Sequence, residues 1–557
     1  MANDTHRDLL KRFRAIKSER TTVEQTWDTM ERFVAPGSGR MFNDQASEHS
    51  QEWGSNREIY DSTAVMAAQN LAASIHGSMT SPTLKWFDLR FRNEELNESK
   101  AAVNWLQDAG AKVHYELQDS NFDLEISKAY QDLVVPGTTM LMLEEGPKRG
   151  QDWGGLEFTS VPLKEVFFEP DHRGRVLRFY RRLEWTPQQL ISKFGIEGVP
   201  QSILDREKHG NTEKVLVLFC VYPRNNRILK WGEKVTPGRR PLSYCYLLEE
   251  GCELLGKEGG YYDMPAFVGR WSVQNSSIWG RSPSMDAIWD VISLNQMCKD
   301  DLRAKAKQID PPLLAEERTV VADLNLDPGT ISVVRTVAGI AAAPGPDGMS
   351  IHASDVAIAR KQSDIRNYYM VDRIDFPDMQ AQPMTATEAQ IRYERMQRYM
   401  GATLAHLRND MLNPAVERVF NMLVRAGEIE IPPEEVVAAG AVYDIEYLGS
   451  LTRAQQVDEV AAIERTMMAA AGVAEVFPDG LDVIDAPKAI RTIGRKMNAP
   501  ADIMRDQGEV EKKQKERQQQ QAAMQEAALA EQEGNAMQAV GAGQEAINGP
   551  QEQATPP

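Results

Sequence analysis

Between Arg281-Ser282-Pro283 and Pro311-Pro312 the chain carries one unbroken helical pattern, Ser284 to about Gln308, and this stretch limits the fold more than any other. At the usual rise per residue it predicts a rod of roughly 37 Å. Met285, Ile288 and Ile292 form one apolar stripe, and Val291, Leu294, Cys298 and Leu302 form another. A helix with two apolar stripes must pack on more than one side. Farther along, the first stripe turns basic at Lys299, Arg303 and Lys307, an i, i+4, i+8 series that points in nearly one direction.

Beyond Pro312 the chain is punctuated by Pro and Gly into shorter elements. A compact insert has candidate strands at Thr319 to Val321 and Thr330 to Val334 and is closed by Pro344, Gly345, Pro346 and Gly348. A second helix is expected from about Ser354 to Ile374, with Arg360, Lys361, Arg366 and Arg373 around a buried stripe of Ile358, Ile365 and Tyr369. A loop rich in Pro and Asp spans Asp375 to Met384. The capping box Thr385-x-x-Glu388 then opens a long helix whose apolar stripe is Tyr393, Met396, Met400, Leu404, Leu407 and Met411. Pro414 sits inside this pattern, where it removes a backbone donor and clashes with the Asp410 carbonyl, so a kink is expected. Helix resumes to Arg425, and Gly427 caps it.

Before this region the chain opens with what reads as two short helices. Leu9, Leu10, Phe13 and Ile16 share a face of the first, and Thr21-x-x-Glu24 is a capping box ahead of Trp27, Met30 and Phe33 in the second. Helices are also expected from Ile59 to Ser78 and from Ser99 to Leu117. From about 131 to 280 the pattern shifts to short β-rich runs, among them Leu156 to Val161, Val215 to Tyr222 and Tyr244 to Leu248. The fold class is therefore α+β and helix-rich. A last strand, Val442 to Tyr447, leads to helices from about Arg453 to Asp506, and beyond Gly508 a Gln-, Ala- and Glu-rich tail reads as helix-prone and then disordered.

At 557 residues the chain exceeds what one core holds, so several domains are expected. No run approaches the ~20 apolar residues of a membrane span, and Met1 to Leu10 lacks the pattern of a secretory signal, so a soluble, unexported chain without a membrane partner is expected. Cys220, Cys245, Cys252 and Cys298 have no C-x-x-C spacing and read as reduced, mostly buried thiols. A formal charge of −18 argues against a sequence-reading DNA binder, which needs a basic face to neutralise phosphates.

Catalytic motifs are incomplete. Gly251-Cys-Glu-Leu-Leu-Gly256-Lys257 has phosphate-loop spacing, but Glu258 stands where Mg²⁺ binding needs Ser or Thr, and Gly259-Gly260-Tyr261 continues as turn and strand. A hairpin turn is the better reading. The eight histidines show no paired metal spacing, and there is no G-x-S-x-G elbow. Asp372, Asp375 and Asp378 lack partner ligands and read as solvated carboxylates in a turn, so no metal, cofactor or catalytic residue is expected. The stripe of Lys299, Arg303 and Lys307, taken alone, reads as a solvated face partly paired with Asp300 and Asp301. Beside a second basic helix it also reads as the wall of a channel for a polyanion.

Six short segments occur in a telling order. Tyr60-Asp-Ser to Trp86-Phe87, Trp279-Gly-Arg-Ser-Pro-Ser, Leu294-Asn295-Gln-Met, Asp310-Pro-Pro, Met384-Thr-Ala-Thr-Glu388-Ala and Tyr443-Asp-Ile-Glu-Tyr-Leu resemble successive parts of the head-to-tail connector (portal) family of short-tailed phages. The resemblance covers about residues 5 to 510.

It implies a dodecameric ring at one capsid vertex, assembled in the host cytoplasm and carried in the virion, through which double-stranded DNA is packaged and ejected. It implies a wing from residues 1–280 plus about 385–450, a stem from helices 281–310 and 353–374, a clip at 311–352 and a helical crown at 451–510. The tunnel loop, 375–384, would bring Phe376, Pro377, Asp378, Met379, Gln380, Gln382 and Pro383 nearest the DNA. Lys299, Arg303, Lys307, Arg366 and Arg373 become candidates for the channel lining. The terminase motor, then a tail adaptor protein, would dock at the clip, with capsid and scaffolding proteins as further partners. The alternatives are a packaging ATPase or nuclease, which needs a complete phosphate loop and a catalytic acid, and a non-viral scaffold that oligomerises through its helices.

Overall fold

In a computed structural model, the N-terminal pattern forms one helix, not two: α1 runs from Ala2 to Phe33. The Thr21 hydroxyl does not cap a new helix but donates back to the Lys17 carbonyl at 3.3 Å. Glu24, the other half of the expected box, accepts instead from Arg20 Nε at 2.7 Å. Arg20 is the reason the helix continues. It occupies a position in the apolar stripe between Ile16 and Trp27 and is 3% exposed. Its guanidinium donates to the carbonyls of Leu163, Lys164 and Val166 and lies 3.7 Å over the Phe167 ring. A cation thus satisfied extends a buried face as an apolar residue does.

The structure describes residues 2–36, 38–39, 59–82, 85–97, 99–147, 153–172, 174–224, 235–273, 277–309, 313–315, 340–342, 348–371, 400–440, 443–447, 460–470, 489–490, 493–494 and 519–520. It divides into two units. The larger comprises Met1–Leu89, Asp108–Ile431 and Ile445–Ala454, and the smaller Arg90–Gln107, Pro432–Asp444 and Gln455–Pro557.

In the larger unit α1 is followed by α2 (Thr63–Met79), β1 (Phe87–Phe91), α3 (Lys100–Asp119) and α4 (Phe122–Val134), strand and helix α3 extending into the smaller unit. Helix α4 was not anticipated. Its acidic first turn, Asp123 and Glu125, suits a helix N-terminus, but the aromatic and β-branched residues around it imitate strand composition. The chain then builds β2 (Thr138–Glu145), β3 (Leu156–Ser160), β4 (Val166–Pro170) and β5 (Val176–Trp185), and after two short helices, α5 (Pro187–Phe194) and α6 (Gln201–Lys208), it adds β6 (Val215–Pro223), β7 (Leu242–Leu248), β8 (Leu254–Tyr261) and β9 (Ala266–Arg270). The three strands expected here are β3, β6 and β7.

Two antiparallel sheets result, β3-β2-β9 and β4-β5-β6-β7-β8. The first half of α1 lies on the five-stranded sheet, where Leu9, Leu10, Phe13 and Ile16 join Phe167, Tyr180, Leu218 and Leu247 in one core. Cys220 and Cys245 face each other across β6 and β7 in this core, and both are free thiols. Burial pushes the Cys220 thiol well above its usual range. The segment with phosphate-loop spacing is a hairpin, as its composition suggested. Gly251 and Cys252 turn through positive φ between β7 and β8, and Lys257 lies within strand β8.

Next come α7 (Pro283–Ile309), the antiparallel pair β10 (Leu313–Ala315) and β11 (Ile340–Ala342), and α8 (Gly348–Tyr368). Helix α8 starts and ends about six residues earlier than its composition suggested, because the chain turns at Tyr369 and Met370, the latter at φ +57°. The candidate strands at 319–321 and 330–334, the loop 375–384 and the opening of the long helix after it lie outside the described residues. From residue 400 that helix continues to α9 (Asn413–Ala426), and Gly427, at φ +89°, closes it by donating to the Leu423 and Val424 carbonyls.

In the smaller unit Phe91 stacks on Trp105 with ring centroids 6.4 Å apart. Arg92 pairs with Asp444 at 2.6 Å, and Ser99 donates to Glu435 in the first turn of the short helix α10 (Glu434–Ala438). The final strand β12 (Tyr443–Tyr447) pairs with β1. Of the helices expected over 453–506, residues 460–470, 489–490 and 493–494 are described, and all are helical.

Candidate functional site

The segment Trp279-Gly-Arg-Ser-Pro-Ser is a foundation for α7, and each residue has a part. Trp279 is buried edge-on against Trp27 of α1 and Phe168 of β4, at 5.0 and 5.1 Å between centroids. Gly280 passes so close to Gly137 that a Cβ on either would collide with the other's backbone, and its N–H donates to Thr138 Oγ1 at 2.8 Å. Arg281 pairs with Asp286. Ser282 caps the helix, its Oγ accepting from Met285 N–H at 3.1 Å while donating to the Val135 carbonyl. Pro283 takes the first helical position, where a missing N–H is harmless. Ser284 donates to the Val134 carbonyl and accepts from Tyr369, a fully buried phenol beyond the end of α8.

The other motifs converge on the same helix. Asn295 Oδ1 accepts from the Tyr60 N–H at 2.7 Å. One Asp61 oxygen accepts the Thr63 N–H at the start of α2, and the other accepts from Gln362 of α8 at 2.7 Å. Segments 60–62, 279–284 and 294–295, far apart in sequence, thus fasten α2, α7 and α8 together.

Ion pairs bind α7 to α8 as antiparallel neighbours. Lys305 lies 2.8 Å from both Asp301 and Asp355, and these carboxylates raise its pKa. Lys361 of α8 pairs with Asp290 of α7, which likewise raises its pKa. Lys361, read from sequence as part of a basic stripe, is therefore turned into the helix pair. Lys305 is the connector that sequence reasoning missed; its spacing of four from Asp301 was the available signal.

The candidate lining residues divide. Lys299 is half-buried with its Nζ 5.5 Å from the Tyr60 ring centre. Arg303 and Lys307 are exposed, Arg303 lying 4.0 Å from Asp300. On α8 Arg366 is half-buried and Arg360 exposed. Arg373, the acidic cluster Asp372, Asp375 and Asp378, and the loop residues Phe376, Pro377, Asp378, Met379, Gln380, Gln382 and Pro383 lie outside the described residues. The apolar expectations also divide: Ile365, Tyr369 and Leu294 are buried, whereas Leu302 is 54% exposed. Sequence reasoning also passed over Trp289, which is 76% exposed.

At Pro414 the helix does not stop. The turn before it, Arg408–Leu412, widens to π geometry, with the Asn413 N–H donating to the Arg408 carbonyl. The extra residue in that turn gives the Pro ring room and places Asp410 2.9 Å from Arg270, a residue of β9 that is 8% exposed. Leu407 and Met411 pack on Gly269, where a Cβ would crowd both. Among the described residues no group of three or more His, Cys, Asp or Glu is placed to hold a metal, and no helix is long and apolar enough to cross a membrane.

A helix-rich α+β chain with small antiparallel sheets, in which two long antiparallel helices are fixed at one end by a capped and tightly packed anchor, has the character of a structural assembly subunit. The family model for the bacteriophage head to tail connecting protein matches residues 6–504, so the chain belongs to that family. It is 27% identical over 500 residues to the "Probable portal protein" of Bordetella phage BPP-1, covering 88% of this chain and 87% of that one. It is 23% identical over 519 residues to the "Portal protein" of Salmonella phage epsilon15, covering 92% and 91%. Its role is that of a phage head-to-tail connector, a structural component of the virion.

Proposed function

We propose that the chain is the subunit of a dodecameric portal ring, that α7 and α8 form its stem, and that duplex DNA enters and leaves the head along the ring axis. The observation that carries this reading is the rigid α7–α8 pair, which keeps Arg303 and Lys307 exposed on α7 while spending Lys305 and Lys361 on holding the pair together. A conduit must let DNA slide, and every phosphate neutralised adds affinity and so friction. A subunit of net charge −18 with few exposed cations on its stem meets that requirement, and cations that touch phosphates without reading bases position a duplex without arresting it. The terminase and then a tail adaptor would dock on the 311–352 segment, capsid and scaffolding proteins would be further partners, and the 375–384 loop would act as a valve near the axis.

Replacing Lys299, Arg303 and Lys307 together with Gln tests the channel role. Intact rings by electron microscopy with lost packaging support it. Lost rings reassign the stripe to subunit contact, and normal packaging removes it from the mechanism.

A further inference from the structure

Arg7, Lys11 and Arg14 of α1 fall within about 60° of one another around the helix axis, and all three are exposed. Ser18, Thr21 and Gln25 continue the same line and are exposed too, so over roughly 27 Å of helix the line carries neither an acidic nor an apolar side chain. The cations beside it are spent. Arg12 pairs with Asp8 and Glu169, Lys17 with Glu249, Arg20 with Glu24, and Arg178 and Arg182 of β5 with Glu169 and Glu249. Among the described residues no ion pair engages Arg7, Lys11 or Arg14. Their charge acts on its surroundings: burial raises the Cys252 thiol in the turn between β7 and β8, and Arg7 and Arg14 pull it in the opposite direction. On a chain of net charge −18 this row is a local reversal of sign.

The chemistry of the row selects its partner. A protein partner needs an apolar centre that sheds its water, and this line has none. A phosphate backbone is held by cations and neutral donors alone, and each strand of a duplex presents one phosphate per about 3.4 Å of its axis. From Arg7 to Arg14 the helix rises about 10.5 Å, the axial length of about three phosphates.

We propose that this face of α1 docks duplex DNA by its phosphates, outside the channel and without reading sequence. Arg14 stands roughly 20 Å along α1 from Trp27, where the helix meets the foundation of α7, so the row is separate from the α7–α8 pair. Cations placed here hold DNA without adding friction to a duplex that moves through the stem. The inference rests on the reading of duplex DNA as the cargo and adds a second surface that holds it.

The test uses the full-length protein and a covalently closed circular duplex, which cannot thread a closed ring, with binding measured by gel shift from about 50 to 200 mM salt. The parent is expected to bind the circle and to lose it as salt rises. Arg7→Gln, Lys11→Gln and Arg14→Gln together are expected to lower the slope of log affinity against log salt by at least about 2.7, at about 0.9 per phosphate contact. Ring assembly by microscopy and thermal melting should stay unchanged, because the three side chains make no ion pair in the fold. Lys208→Gln, Arg239→Gln and Lys257→Gln, which remove as much charge from other exposed positions, are expected to leave the slope nearly as it was. Equal loss in the two triple variants overturns the proposal, as does a row variant that binds circles like the parent. Loss of rings in the row variant with DNA binding kept also overturns it and reassigns the face to subunit contact. Parent rings that bind linear but not circular duplex overturn the α1 surface and leave the channel reading standing, whereas rings that bind neither overturn both.

Discussion

Arg20 shows how one side chain sets the course of the chain. A charge in an apolar stripe ordinarily ends a buried face, but this guanidinium has the carbonyls of Leu163 and Val166 as acceptors and Phe167 as a floor. Arg20→Met is expected to lower unfolding free energy by about 3 kcal/mol, because the carbonyls lose their donor in a site closed to water. Arg20→Lys recovers little, since an ammonium cannot span three acceptors as a planar fork does. Urea unfolding measures both, and a Lys variant as stable as the parent would show that charge alone matters there. The glycines at 137 and 280 act by what they lack, and sequence alone does not reveal that they touch.

At the scale of elements, the segment around Pro414 is the clearest case of local chemistry settled by its surroundings. Proline requires a disruption of the helix, but whether the chain bends, breaks or widens depends on what stands opposite. Here Arg270, nearly buried, takes the carboxylate that a widened turn delivers. Pro414→Ala restores an N–H for the Asp410 carbonyl and removes the need for the π turn. Its effect on unfolding free energy is expected to be non-additive with that of Asp410→Ala by at least about 1 kcal/mol. Simple additivity in a double-mutant cycle would mean that the π turn and the Arg270 contact are independent. The same dependence on surroundings merged the two expected N-terminal helices into α1, and it concealed α4, a helix flanked by strand-like residues and buried against β2 and β3.

For the whole molecule, charge is the property that reaches farthest. On the proposed reading the ring must hold a polyanion in its channel without binding it firmly, and a chain of net charge −18 would do so only where local cations offset the general repulsion. Assembled rings are therefore expected to retain duplex DNA weakly at about 50 mM salt and to release it by about 200 mM, because each phosphate contact weakens as salt rises. Retention that is indifferent to salt in a filter-binding or gel-shift titration would contradict a sliding contact made of phosphate-facing cations.

The amino-acid sequence by itself determined the class of fold, the long helix α7, strands β3, β6 and β7, the hairpin at Gly251 and the order of motifs that marks the family. These rest on periodicity, turn chemistry and spacing, which are local. Only the tertiary structure decided which cations remain exposed and which are spent. Lys299 and Lys361 look alike in sequence to Arg303 and Lys307, yet one meets Tyr60 and the other Asp290. Their partners stand 239 and 71 residues away, at distances no periodicity reports. The exposure of Trp289 was hidden for the same reason: a helix pattern shows which residues share a face, and only its neighbours show which face they leave uncovered.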